Sequence, residues 1–112
     1  MKIVKVTYTT KAAYTAQNKI NIAKVMDDLQ SKQINGLNYT CCLGADGKSF
    51  IHFAFFNSPE DEKVLAELES FKNFQKQLKA EGLETQPVQE VLTFVGSSTH
   101  LFSNHLNFVN SN

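Results

Sequence analysis

The stretch 49–56, Ser-Phe-Ile-His-Phe-Ala-Phe-Phe, does most to narrow what this chain can become. Its side chains alternate between two faces, with Phe50, Ala54 and Phe56 on one and Ile51, Phe53 and Phe55 on the other. A strand that is apolar on both faces has to be covered on both faces. A second β-rich run, Leu-Asn-Tyr-Thr-Cys-Cys-Leu over 37–43, precedes it. Between the two lies Asp46-Gly47, a dipeptide that tolerates the positive φ angles of a type I′ turn. Such a turn sets Leu43 opposite Phe50, Cys42 opposite Ile51, Cys41 opposite His52 and Tyr39 opposite Ala54.

At 112 residues, 42% of them hydrophobic, the chain is long enough for one domain with one core. Eleven basic residues balance eleven acidic ones, so no net field draws nucleic acid or an anionic membrane. Every basic residue is Lys, which removes the bidentate phosphate and carboxylate clamps that Arg provides. The opening Met-Lys-Ile-Val-Lys-Val lacks the unbroken apolar segment of a signal peptide, and no apolar run approaches the ~20 residues of a membrane span. Cys41 and Cys42 are strand neighbours pointing to opposite faces, which argues against a disulfide between them. Two reduced thiols fit a cytoplasmic protein.

Residues 2–9 alternate as a first strand, and Thr10 to Tyr14 connect it onward. Within 15–33, Ile22, Val25, Met26 and Leu29 recur at helical spacing, and Asn35-Gly36 supplies a stop. Ser58-Pro59-Glu60-Asp61 is a helix start: a capping hydroxyl, a proline suited to the first turn, and acids that complement the helix dipole. One apolar stripe, Val64, Leu65, Leu68, Phe71, Phe74 and Leu78, then runs towards Glu81-Gly82. Pro87 opens a fourth strand over 88–95. These elements form one domain over residues 1–96. The tail, residues 97–112, carries Leu101, Phe102, Leu106, Phe108 and Val109, and is expected either to dock as a short element on the body or on a partner subunit or to be partly disordered.

The order strand, helix, strand, strand, helix, strand predicts an α+β, ferredoxin-like βαββαβ fold, an antiparallel sheet with both helices on one face. The helices leave the other face of the doubly apolar strand bare. A second copy packed on that face makes the expected assembly a homodimer.

Two segments, Phe50-Ile51-His52-Phe53-Ala54-Phe55-Phe56-Asn57-Ser58-Pro59-Glu60 and Glu69-Ser70-Phe71-Lys72-Asn73-Phe74, resemble the dimeric α+β barrel proteins of the antibiotic-biosynthesis-monooxygenase-like group. The likeness spans residues 1 to about 96. It departs from the group's pattern where Ala54 replaces a Glu, Phe56 a Trp and Ser70 a His. The haem-degrading members rely on that Trp and His, so the resemblance does not imply haem degradation. It implies a dimeric α+β barrel. For activity it points to the members that use neither metal nor flavin, in which an electron-rich aromatic substrate itself activates oxygen.

Among individual residues, Cys41 and His52 stand opposite each other on one face, with Cβ atoms roughly 4.5–5.5 Å apart. An adjacent imidazole stabilises a thiolate and so makes a nucleophile, which marks this pair as the catalytic candidates; a buried thiol and a locally bonded imidazole are the plainer alternative. Tyr8, Tyr39, Thr7, Thr40 and Asn38 are placed to line a pocket between sheet and helices, where a hydroxyl would orient a small aromatic ligand, or else simply to pack; the resemblance implies that Phe71 and Phe74 roof that pocket, and core packing is the plainer alternative. His52, His100 and His105 raise the question of zinc, but the spacing of the last two fits neither a helix face nor a strand, so no metal site is expected. No cofactor is expected either. Two readings follow: a homodimer binding a small apolar or aromatic ligand, or a cofactor-independent monooxygenase acting on an aromatic or quinol substrate. A cavity of about 300 Å³ or more, lined by Tyr or His between sheet and helices, is what the second reading needs.

Overall fold

The computed structural model describes residues 1–102. Its strands are β1 (Lys2–Thr10), β2 (Leu37–Leu43), β3 (Ser49–Phe56) and β4 (Leu83–Leu92), and its helices are α1 (Thr15–Lys32), α2 (Pro59–Glu67) and α3 (Glu69–Gln77). The sheet is antiparallel in the order β2-β3-β1-β4, the ferredoxin-like arrangement expected from the sequence, with the helices packed on one face. No helix among the described residues is long and apolar enough to cross a membrane.

The hairpin register is as expected, with Leu43 opposite Phe50, Cys41 opposite His52 and Tyr39 opposite Ala54. The turn is not type I′. Only Gly47 takes a positive φ, at 77°, and the loop closes through Gly47 N–H to Gly44 O (3.0 Å) and Gly44 N–H to Ser49 O (2.7 Å). Asp46 stays out of the left-handed region because its carboxylate is better used elsewhere: it accepts from the Lys48 and Ser49 N–H groups at 3.0 and 2.8 Å.

Helix α1 covers the expected span and is capped by Gln33, ahead of the Asn35-Gly36 stop signal; Gln33 adopts the left-handed conformation (φ 51°, ψ 53°) and donates its N–H to Gln30 O. A non-glycine residue there pays a steric penalty, so Gln33→Gly is expected to stabilise the fold by about 1 kcal/mol in urea unfolding. The second helix is broken at Leu68, whose extended backbone (φ −67°, ψ 125°) ends α2 through its N–H and starts α3 through its carbonyl. Leu68 is thereby turned into the core, while Val64, expected on the buried stripe, is 39% exposed. Strand β4 begins at Leu83, and Pro87 lies inside it. The pairs Thr7–Val88 and Thr9–Thr85 leave one extra residue on β4, so the proline sits in a bulge of an edge strand, where no ladder N–H is needed.

The start of α2 is built as the sequence implies. Asp61 accepts from both Ser58 N–H (3.0 Å) and Ser58 Oγ–H (2.8 Å), completing a capping box. On β3, Phe50, His52, Ala54 and Phe56 are buried against the helices, and Ile51, Phe53 and Phe55 on the opposite face are half-buried.

Part of that second face is covered by the chain itself. Leu92, Ile3, Phe55 and Asn38 form one row across the sheet, from edge to edge. The segment after Leu92 returns along this end, where Asn38 Nδ2 donates to Leu101 O at 3.4 Å. Ile3 and Phe102 are each only 5% exposed. Beyond this end, Val88 remains 60% exposed on the same face. Leu106, Phe108, Val109 and His105 lie outside the described residues.

A candidate ligand cleft between sheet and helices

The helix face of the sheet buries a polar chain. His52, 4% exposed, bonds Tyr39 Oη through Nδ1 (2.7 Å) and Tyr8 Oη through Nε2 (2.8 Å), and Asn18 Nδ2 donates to Tyr8 Oη at 2.9 Å. Strand geometry explains the triad. Val6 and Cys41 are the residues directly opposite His52, so Tyr8 on β1 and Tyr39 on β2 are its diagonal neighbours, one on each side. Diagonal positions lie within reach of long aromatic side chains. The rings pack closely as well: the centroids of Tyr8, Tyr39 and Phe74 lie 5.3, 5.6 and 5.6 Å from that of His52.

Burial fixes the protonation states. With rings and hydroxyls around it, His52 is held neutral, its pKa lowered from 6.5 to about 4. Burial raises the Tyr8 and Tyr39 hydroxyls well above their ordinary 10.0, so both are protonated at neutral pH. The site is therefore a set of neutral donors and acceptors.

Cys41 does not join it. Although opposite His52, its short side chain falls away: both imidazole nitrogens are held by tyrosines, and Sγ has only the Cys42 carbonyl at 3.9 Å. Burial and the neighbouring Cys42 push the thiol up to about 12, the reverse of an activated nucleophile. Both cysteines are free. Thr7, Thr40 and Asn38 also leave the candidate set. They pair with Ile51, Phe53 and Phe55 and so face away from the helices.

Beside the triad lies a cleft of two adjoining lobes, each about 230 Å³, which share Val6, Tyr39, His52, Phe71, Gln75 and Gln89. One lobe extends towards Ala54, Phe56 and Leu65, and the other towards Tyr8, Phe74 and Pro87. Neither lobe reaches the size set out above. A larger groove of about 560 Å³ runs between the end of α1 and edge strand β2, but no charged side chain lines it.

Asn18, Gln75 and Gln89 are the cleft and network residues that sequence periodicity misses. Asn18 and Asn21 are 0% and 1% exposed, on the same helical stripe as Ile22, Val25 and Leu29. Asn21 bridges to α3, donating to Gln77 Oε1 at 3.0 Å. Among the described residues, no three His, Cys, Asp or Glu side chains are grouped to hold a metal ion.

No protein-family model matches the chain, and no curated protein sequence does. Its fold does match solved structures. An antibiotic biosynthesis monooxygenase superimposes with a TM-score of 0.72 at 10% identity, covering 86% of this chain and all of the other. The Mycobacterium tuberculosis protein Rv0793 gives 0.71 at 13% identity, over 88% of this chain and 98% of that one. A variant of SnoaB, a cofactor-independent oxygenase from Streptomyces nogalater, gives 0.63 at 14% identity, over 88% and 98%. The likeness is one of fold: the arrangement of an antibiotic-biosynthesis-monooxygenase-like domain, as the two sequence segments suggested.

Proposed function

We propose, from a fold shared with antibiotic biosynthesis monooxygenases, that this chain is a homodimer that binds a small aromatic ligand in the cleft beside Tyr39 and His52. The observation that carries the reading is a buried, neutral, fully hydrogen-bonded imidazole that, with Tyr39, lines a cleft walled by Val6, Phe71, Gln75 and Gln89. The ligand is a planar ring system held between Phe71 and the sheet, with one polar atom directed at the Tyr39 hydroxyl.

The second reading, a cofactor-independent monooxygenase acting on an aromatic or quinol substrate, draws on the same cleft and on the fold shared with a cofactor-independent oxygenase. In that case the substrate supplies the electrons to oxygen, and Tyr39 and His52 bind and orient its oxygen atom. Oxygen consumption with a panel of quinols separates the two readings. Turnover that is lost in Tyr39→Phe supports the enzyme, and a flat trace in the presence of ligands that do bind leaves the binding protein.

The homodimer places the face carrying Ile51, Phe53 and Val88 against a second copy. Phe53→Lys is expected to convert the dimer to a monomer in sedimentation at micromolar concentration, because two lysines would be buried about the two-fold axis. A wild-type chain that sediments as a monomer contradicts the assembly.

A further inference from the structure

We infer that the cleft takes an aromatic carboxylate, its ring lying over Val6 beneath Phe71 and its anionic group meeting the amides of Gln75 and Gln89 and the ammonium of Lys79. The inference rests on the cleft being a ligand site, and it names the class of ligand that the site selects.

Sheet register and helical spacing place the three side chains. Gln89 stands opposite Val6, and Val6 opposite His52, so these residues form one row on the helix face of the sheet. Neighbouring strands lie about 4.8 Å apart, which puts the Gln89 backbone roughly 10 Å from that of His52, across the valine. Phe71 and Gln75 are one helical turn apart on α3 and border both lobes, as Gln89 does. Lys79 comes a turn later, in the π-helical turn Leu78–Gly82, and borders only the lobe that reaches Tyr8 and Pro87. On the floor of the cleft, Tyr39 and His52 thus lie to one side of Val6 and Gln89 to the other. Gln75 and Lys79 follow Phe71 along the helical wall.

The two sides differ in what they already hold. Both imidazole nitrogens of His52 have a tyrosine hydroxyl. Among the described residues, the side chains of Gln75, Gln89 and Lys79 enter no hydrogen bond and no ion pair. Gln77, by contrast, is tied to both Asn21 and Asn73. Charge decides what completes the set. Glu62 is the charged residue of the other lobe, and Lys2 already neutralises it at 3.0 Å. Glu81, two residues past Lys79, borders neither lobe. Among the described residues, Lys79 is therefore the one charge at the cleft without a counter-ion, and it stands with two amides whose N–H groups are open to donate. A carboxylate on an aromatic ring answers this set, offering two acceptor oxygens to an ammonium and to amide donors. One lysine and no arginine match the larger charge of a phosphate poorly. All three side chains are exposed, so the contact is made at the rim and its worth is modest.

The test titrates 2-naphthoate and 2-naphthamide, which share a shape and differ in charge, into the full chain at pH 7, with amide and aromatic chemical shifts as the readout. The wild type is expected to bind the acid about fivefold more tightly than the amide, the worth of one exposed charge pair. In Lys79→Met, which keeps the length of the stem, that ratio is expected to fall to about one. In Lys76→Met, a lysine of α3 that borders neither lobe, the ratio is expected to stay. Eleven basic and eleven acidic residues give the chain no general pull on anions, so the ratio reports the cleft. Backbone amide spectra check that both variants are folded. Equal affinities in the wild type, or a ratio that falls as far in Lys76→Met as in Lys79→Met, overturn the inference. If the neutral 1-tetralone shifts Tyr39 and Phe71 while neither naphthyl compound does, the inference fails and the ligand site stands. If none of the three shifts them, the ligand reading fails and the inference with it.

Discussion

Taking the protein from pH 7 to pH 4 is expected to cost about 3 kcal/mol of stability through His52 alone. In the fold its pKa is lowered from 6.5 to about 4 by burial, so between those values the unfolded chain binds a proton that the folded chain refuses. Stability therefore rises with pH through this window and falls as the pH drops through it, the sign expected of a base buried neutral. The Asp46 carboxyl is lowered to about 2 by its bonds to Ser49 and Lys48, so its contribution is lost below the His52 window. Urea unfolding at half-unit steps from pH 7 to pH 4 measures the slope. His52→Phe, which leaves the Tyr39 hydroxyl unpartnered and Tyr8 with Asn18 alone, is expected to be less stable at pH 7 but to lose the slope between pH 7 and pH 5. The same slope in the variant would mean that the proton is taken up elsewhere.

Gly82→Ala is expected to cost about 2–3 kcal/mol, by overpacking. A Cβ at this position would overlap the ring of Tyr14, which is 7% exposed. Tyr14 has little room to give. It closes the turn ahead of α1, Asn21 Nδ2 donates to its hydroxyl at 3.4 Å, and Lys11 N–H donates to Gly82 O at 2.7 Å. The backbone of Gly82 is not in the left-handed region, so the penalty is steric and not conformational. Gly96→Ala, which meets nothing within 4 Å, is the control and should leave the thermal midpoint unchanged. A loss in Gly82→Ala no larger than in that control would show that Tyr14 can move aside.

These features differ in how far the sequence exposes them. The two-sided apolar pattern of β3 and the hairpin register are legible because strand alternation has period two and Asp46-Gly47 leaves one pairing that keeps Phe50 and Leu43 together. The break at Leu68 is hidden: no Gly or Pro marks it, and the apolar stripe runs straight through. The true start of β4 is hidden by Pro87, which reads as a boundary but falls in a bulge. His52 and its two tyrosines were within reach. Their bonding was not, because Tyr8 is brought diagonal to His52 by β1–β3 pairing between residues more than forty apart in the chain. Asn18 went unseen because hydrophobic periodicity counts only apolar side chains, and here the buried helical stripe carries amides.

The central claim is that a small aromatic molecule binds between Tyr39, His52 and Phe71. Its most direct test is a titration of ¹⁵N- and ¹³C-methyl- and aromatic-labelled protein with 1-tetralone, followed residue by residue. The account predicts saturable shifts centred on Tyr39, His52, Phe71, Gln75 and Gln89, and small ones along the groove between α1 and β2. Shifts centred instead on Met26, Leu29 and Leu37, or none up to millimolar ligand, would contradict it.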